Sequence, residues 1–227
     1  FKWKFKLSKS HFNEILVEPD MHLNIPNTWN SFDDYIDNIQ SKYKKRYRKT
    51  TLNNRSITKK ELNPKCLKKY SGDLNKLFNE VYNKSSFNAA KFNTDTFYDF
   101  KELIHNISIV GYFKDEVMVG FSSFIVLNNI MYAHFVGLDY HFNKNYDIYS
   151  TMLYDKIEHA IKHKIELIKF GRTANEFKSN FGAIPKTNTG YIYGKTGLLI
   201  KLLSPLLKLI KPKKWIQRKP FKEVNNH

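Results

Sequence analysis

The sequence predicts a mixed α/β (α+β) fold, a central and mostly antiparallel sheet flanked by helices, from three patterns in its 227 residues. First, Ile107 to Phe113, Val117 to Leu127 and Ile130 to Leu138 are β-rich runs joined by the short polar links Lys114-Asp115-Glu116 and Asn128-Asn129, as in an antiparallel meander. Second, Asn145 to Lys164 has helical spacing, with Ile148, Met152, Leu153, Ile157 and Ile161 on one face, and leads into the apolar run Ile165 to Phe170. Third, the stretches upstream of the meander carry apolar residues three and four apart.

Taken in order, Ile15 to Val17 with Met21, Leu23 and Ile25 reads as an irregular strand that Pro26 ends. Ser31 caps a helix whose first turn holds Asp33 and Asp34 and whose last holds Lys42 to Lys49, the charge order that a helix dipole favours. Phe32, Tyr35, Ile36, Ile39 and Tyr43 form its apolar stripe. Asn53 to Leu62 is turn plus strand, Pro64 starts a helix carrying Leu67, Leu74, Leu77, Phe78 and Val81, and Thr94 or Asp95 caps another with Phe97, Phe100, Leu103 and Ile104. Thr187 to Lys195 adds a late strand. Gly197 to Lys211 sets Lys201, Ser204, Lys208 and Lys211 on a narrow face and covers the rest with nine leucines and isoleucines, so it needs either a protein partner surface or a membrane interface.

A hydrophobic content of 41% suffices for one substantial core. The single Cys66 excludes an intramolecular disulfide framework and a cysteine-based zinc site, and fits a reducing compartment. No metal site is expected: His159 and His163 lie four apart but outside an HExxH pattern. P-loop, dinucleotide and Gly-x-Ser-x-Gly signatures are missing too. The net charge of +17 is uneven: six of the nine residues Ser41 to Lys49 are basic, and Phe177 to Lys222 holds eleven lysines and arginines without an acidic residue. Such surfaces attract nucleic acid, anionic lipid or phosphorylated substrates.

The stretch with most chemical content is Phe170-Gly-Arg-Thr-Ala-Asn-Glu-Phe-Lys-Ser-Asn-Phe-Gly-Ala183. It ends a strand, turns on Gly171, opens a short polar helix and closes on Gly182, which brings Arg172, Lys178 and Ser179 to the strand's carboxyl end, where α/β folds place ligands. This string, with HFVGLDYHFNKNYDIYSTMLYDKIEHAI and SFDDYIDNIQSKYKKRYRK, resembles the GNAT-like (acyl-CoA N-acyltransferase) family related to FemAB-type peptidoglycan aminoacyltransferases. Phe177-Lys178 and Phe181-Gly182 match the FK…FG signature of FemAB-type domains. The likeness runs from about Pro19 to Phe221.

The resemblance implies a GNAT-like fold over residues 29–196, an N-terminal extension over 1–28 that is a remnant of a preceding half, and a basic amphipathic helix and tail over 197–227. It implies transfer of an acyl or aminoacyl group to an amine on a cell-envelope (peptidoglycan) precursor or a lipid. Acyl-CoA or aminoacyl-tRNA is then the donor substrate, no cofactor is permanently bound, and the setting is cytoplasmic, at the inner face of an anionic membrane. Rival readings are a long-chain N-acyltransferase of lipid amines and a non-catalytic basic nucleic-acid-binding module. Proton transfer is sought at the end of the third meander strand, in His134 and Asp139, with Tyr149 on the following helix as acid. Substrate binding is assigned to Gly171, Arg172, Thr173, Lys178, Ser179 and Gly182. One departure stands out: GNAT enzymes cradle the CoA pyrophosphate in a glycine-containing loop, and Asp139 to Asp147 has no glycine.

Overall fold

A computed structural model describes residues 12–85, 91–193 and 214–223. Its seven strands form one sheet in the order β2-β3-β4-β5-β6-β1-β7. The meander is β3 (Ile107–Lys114), β4 (Val117–Leu127) and β5 (Ile130–Leu138), and β2 (Ile57–Glu61) pairs antiparallel with β3 at one edge. β6 (Leu167–Lys169) runs parallel to β5, because a helix must cross over before the chain can return in the same direction. β1 (Phe12–Asn24) lies between β6 and β7 (Ile184–Tyr193), antiparallel to both. Residues 12–24, expected within an extension, are thus a strand inside the sheet.

Helices cover both faces. α3 (Pro64–Lys69), α4 (Ser71–Lys84) and α5 (Thr96–Leu103) pack on one, where Leu62, Leu74, Leu77, Phe97, Ile109 and Phe121 are almost fully buried. α1 (Phe32–Asn38), α2 (Ser41–Asn53) and α7 (Ile148–Lys162) cover the other, with Met21, Leu23, Tyr35, Met131, Ile157 and Ile168 at its centre. Each such side chain contributes roughly 1.5–3 kcal/mol on leaving water. α4 can lie close to β5 because residue 137 is glycine: a Cβ there would sit 2.1 Å from the Phe121 ring and 3.0 Å from the Leu77 backbone.

Three helix boundaries differ from the sequence expectation, each for a local reason. The single helix expected after Ser31 is broken at Ile39, which is extended and bridges Phe221, while the Gln40 amide donates to Pro220 O at 2.8 Å. The cations of 42–49 therefore belong to α2, several of them near its start where the dipole does not favour them, and Lys44 pairs with Asp37 of α1 at 2.8 Å. The helix expected from Pro64 divides at Tyr70 into α3 and α4. Between β5 and α7 a further short helix, α6 (Tyr140–Tyr146), appears, and Asp147 ends it in the left-handed region at φ 50°. The last elements are α8 (Asn175–Ser179) and a strap over 214–223. The apolar segment Gly197 to Lys211 lies outside the described residues.

Candidate active site

The site follows from a divergence in the sheet. β5 and β6 pair only from Ile130 to Tyr132 against Leu167 to Lys169. Past that point the chain of β6 leaves with β1: the Phe170 amide donates to Met21 O at 2.8 Å and the Met21 amide to Gly171 O at 3.2 Å. β5 continues along β4 to Leu138, so its other edge faces a wedge in place of a strand. A cavity of about 520 Å³ occupies that wedge. Its walls are Val81 and Lys84 from the end of α4, Val136 and Leu138 from β5, Tyr140 and Asn143 from α6, Asp147 and Tyr149 at the start of α7, and Thr173, Ala174 and Phe177 around α8.

A bulge in β5 decides which strand residues reach the cavity. Ser122 pairs with Val136 and Phe124 with Ala133, so His134 and Phe135 together oppose Ser123. The Ser123 hydroxyl accepts from the Phe135 amide at 2.9 Å. Simple alternation would put His134 on the same face as Val136 and Leu138. Instead its ring packs beside Phe92, Phe100 and Phe135 on the α5 side, and partial burial lowers its pKa. His134 is not among the residues that line the cavity. Asp139 is the N-cap of α6, its Oδ1 accepting from the amides of His141 at 2.9 Å and Phe142 at 3.1 Å.

Tyr149 and Thr173 are the two expected site residues that the fold does bring to the cavity. Tyr149 lies 5.2 Å from the Phe177 ring, centroid to centroid, and burial, helped by neighbouring Tyr140, pushes its phenol far above the usual tyrosine range. It therefore stays protonated at neutral pH. Arg172 is exposed, and its carbonyl accepts from Lys178. Lys178 is 4% exposed and its Nζ donates to Gly171 O at 3.0 Å and Arg172 O at 2.9 Å. Burial lowers its pKa to about 7, against the opposing pull of Asp20. Ser179 faces inward, donating to Glu176 O at 2.7 Å, and Gly182, at φ 94°, packs against Phe221. Gly171 turns the chain at φ 77° with open space where a Cβ would be.

Lys84, Tyr140 and Asp147 are among the cavity residues that had not been singled out as site residues. Lys84 Nζ sits 3.6 Å from the Tyr140 ring centroid, and burial together with Glu80 raises the Tyr140 pKa. Asp147 Oδ2 accepts from Asn53 Nδ2 of α2 at 2.8 Å, which ties the basic helix to the cavity wall. The signal available for Asp147 was its position just before the helix at Ile148, in a stretch read only for its lack of glycine. Among the described residues no group of His, Cys, Asp and Glu has the arrangement of a metal site.

Residues 76–179 match the family described as "Acetyltransferase (GNAT) domain". Among solved structures the fold is similar to FemX, at 11% identity and a TM-score of 0.59 over 89% of this chain and 67% of that one. It is similar also to L-PGS from Bacillus licheniformis, at 9% identity and a TM-score of 0.54 over 87% of this chain and 67% of that one. A third is the C-terminal domain (DUF2156) of a protein from Agrobacterium fabrum described as a lysylphosphatidylglycerol synthetase, at 11% identity and a TM-score of 0.52 over 87% and 66%. The chain thus spans about two thirds of the length of each. Comparison with curated protein sequences finds no match. Every wall of the cavity lies within the residues that match the acetyltransferase (GNAT) domain, from Val81 to Phe177, and the fold of the chain is GNAT-like.

Proposed function

We propose that the chain is an N-acyltransferase that moves an acyl or aminoacyl group onto an amine, with the acceptor on a cell-envelope precursor or a lipid. The observation that carries this reading is the separation of β5 from β6 beside the cavity. Backbone groups on the open edge of β5 would hold the donor's polar chain as a missing strand does, with its carbonyl directed to the wedge. Asp147 would receive or orient the amine proton, and Tyr149, a neutral phenol in the cavity wall, would supply a proton to the leaving group. The exposed Arg172 is assigned to anionic substrate groups and Thr173 to the cavity wall beside it, while buried Lys178 holds the 171–172 turn in place. His134 and Asp139, packed elsewhere and spent on a cap, are not given catalytic roles.

The names FemX and lysylphosphatidylglycerol synthetase among the similar structures support an envelope setting. Both acyl-CoA and aminoacyl-tRNA remain donors in this proposal. The self-capped α6 bears on the choice between them: the Asp139 carboxylate already occupies the amides of His141 and Phe142, so that helix start is closed to a pyrophosphate. The apolar walls Val81, Val136, Leu138 and Phe177 favour a second reading, a long-chain acyl group delivered to a lipid amine. The anionic partner, whether tRNA or a membrane surface, is assigned to α2, where Lys42, Lys45, Arg46 and Lys49 share one exposed stripe.

Incubating the chain with acyl-CoA thioesters of graded length, or with charged tRNA, and with a lysine-bearing peptidoglycan precursor or phosphatidylethanolamine tests the reading by mass spectrometry. Appearance of an amide-linked product with one pair is the expected result. Absence of product with every pair, using the longest natural form of the chain, would sink it.

A further inference from the structure

The strap over 214–223 meets the turn that builds one wall of the cavity. α8 has five residues, starts after left-handed Thr173 and Ala174, and has no side-chain N-cap. A single turn cannot hold itself by helix cooperativity. Its outer support is the strap: the Arg218 amide donates to Ser179 Oγ at 3.0 Å, the Arg218 guanidinium binds Glu176 Oε1 through Nε at 3.1 Å and through Nη2, and Gln217 Nε2 donates to Ala183 O at 3.0 Å. Arg218 holds the Glu176 carboxyl below the usual glutamate range. The strap is itself anchored at the α1–α2 junction, where Gln40 Nε2 donates to Lys219 O and Phe221 O and the Phe221 ring lies 5.8 Å from Trp29. Between the residues it grips sits Phe177, the side chain that faces Tyr149 in the cavity.

We infer that Arg218 is a positioning residue, which acts through Glu176 and Ser179 to hold Phe177 and the 173–174 turn against Tyr149. This rests on the cavity being the transfer site, but its placement of α8 can be measured without activity. Hydrogen exchange followed by mass spectrometry is compared in wild type, Arg218→Met and the reversed pair Arg218→Glu with Glu176→Arg. Exchange in 174–182 should quicken about tenfold in Arg218→Met while α7 is unchanged, and the reversed pair should recover most of the protection. Unchanged exchange in 174–182, or equal acceleration across α7, would overturn the inference whether or not wild type transfers an acyl group. In the transfer assay the same variant should lose kcat about tenfold with KM held. A loss that only follows the fraction of unfolded protein would refute the positioning role.

Discussion

Tyr149 and Lys178 show how the fold sets the chemistry of single side chains. Tyr149→Phe keeps the ring packed on Phe177 and removes one buried hydroxyl, so kcat should fall about a hundredfold with a nearly unchanged melting temperature, read from steady-state kinetics beside a thermal melt. Lys178 carries a pH signature. Its folded pKa, about 7, lies below its ordinary value of 10.5, so between those values the unfolded chain holds a proton that the folded chain has released. Stability from this residue therefore rises with pH across that window. The stability difference between wild type and Lys178→Met should show that rise in urea melts taken from pH 7 to pH 10, and a pH-independent difference would contradict it.

Among the elements, the turn at Gly182 is the most exacting. Alanine there must adopt φ 94° and place a Cβ 2.2 Å from the Phe221 ring, combining left-handed strain with overpacking against the strap. Gly182→Ala should cost about 3 kcal/mol, measured by chemical denaturation, and Phe221→Ala in the same chain should relieve part of the steric component. The β5 bulge has a different effect: it does not tighten the fold but reassigns faces. It sends His134 to the aromatic cluster of α5 and leaves Val136 and Leu138 to the cavity. A strand with a serine opposite two residues is an ordinary alternating run in sequence, so the swap was not legible there.

At the scale of the whole molecule, the charge of +17 and the basic stripe on α2 predict association with polyanions. Binding to anionic vesicles or tRNA should weaken as salt rises. Replacing Lys42, Lys45, Arg46 and Lys49 by glutamine should flatten that dependence without moving the melting temperature, since these side chains are exposed or peripheral to the core. Among the described residues no helix is long and apolar enough to cross a membrane.

Periodicity alone was enough for the meander, for α7 and β6 after it, and for the strand-turn-helix that carries Gly171, Lys178 and Gly182, because alternation, helical spacing and glycine turns are local signals. The place of β1 inside the sheet, the break between α1 and α2 and the grip of the strap on α8 came only with the tertiary structure. Two of these depend on partners more than a hundred residues away, β1 on β6 and β7 and Ile39 on Phe221, and the strap grips α8 across 39 residues, from Arg218 to Ser179, while anchored to Gln40. The cavity belongs to the same class. It exists where β5 and β6 part, and that parting is set by Met21 pairing with Phe170 and Gly171, a contact that no local pattern encodes.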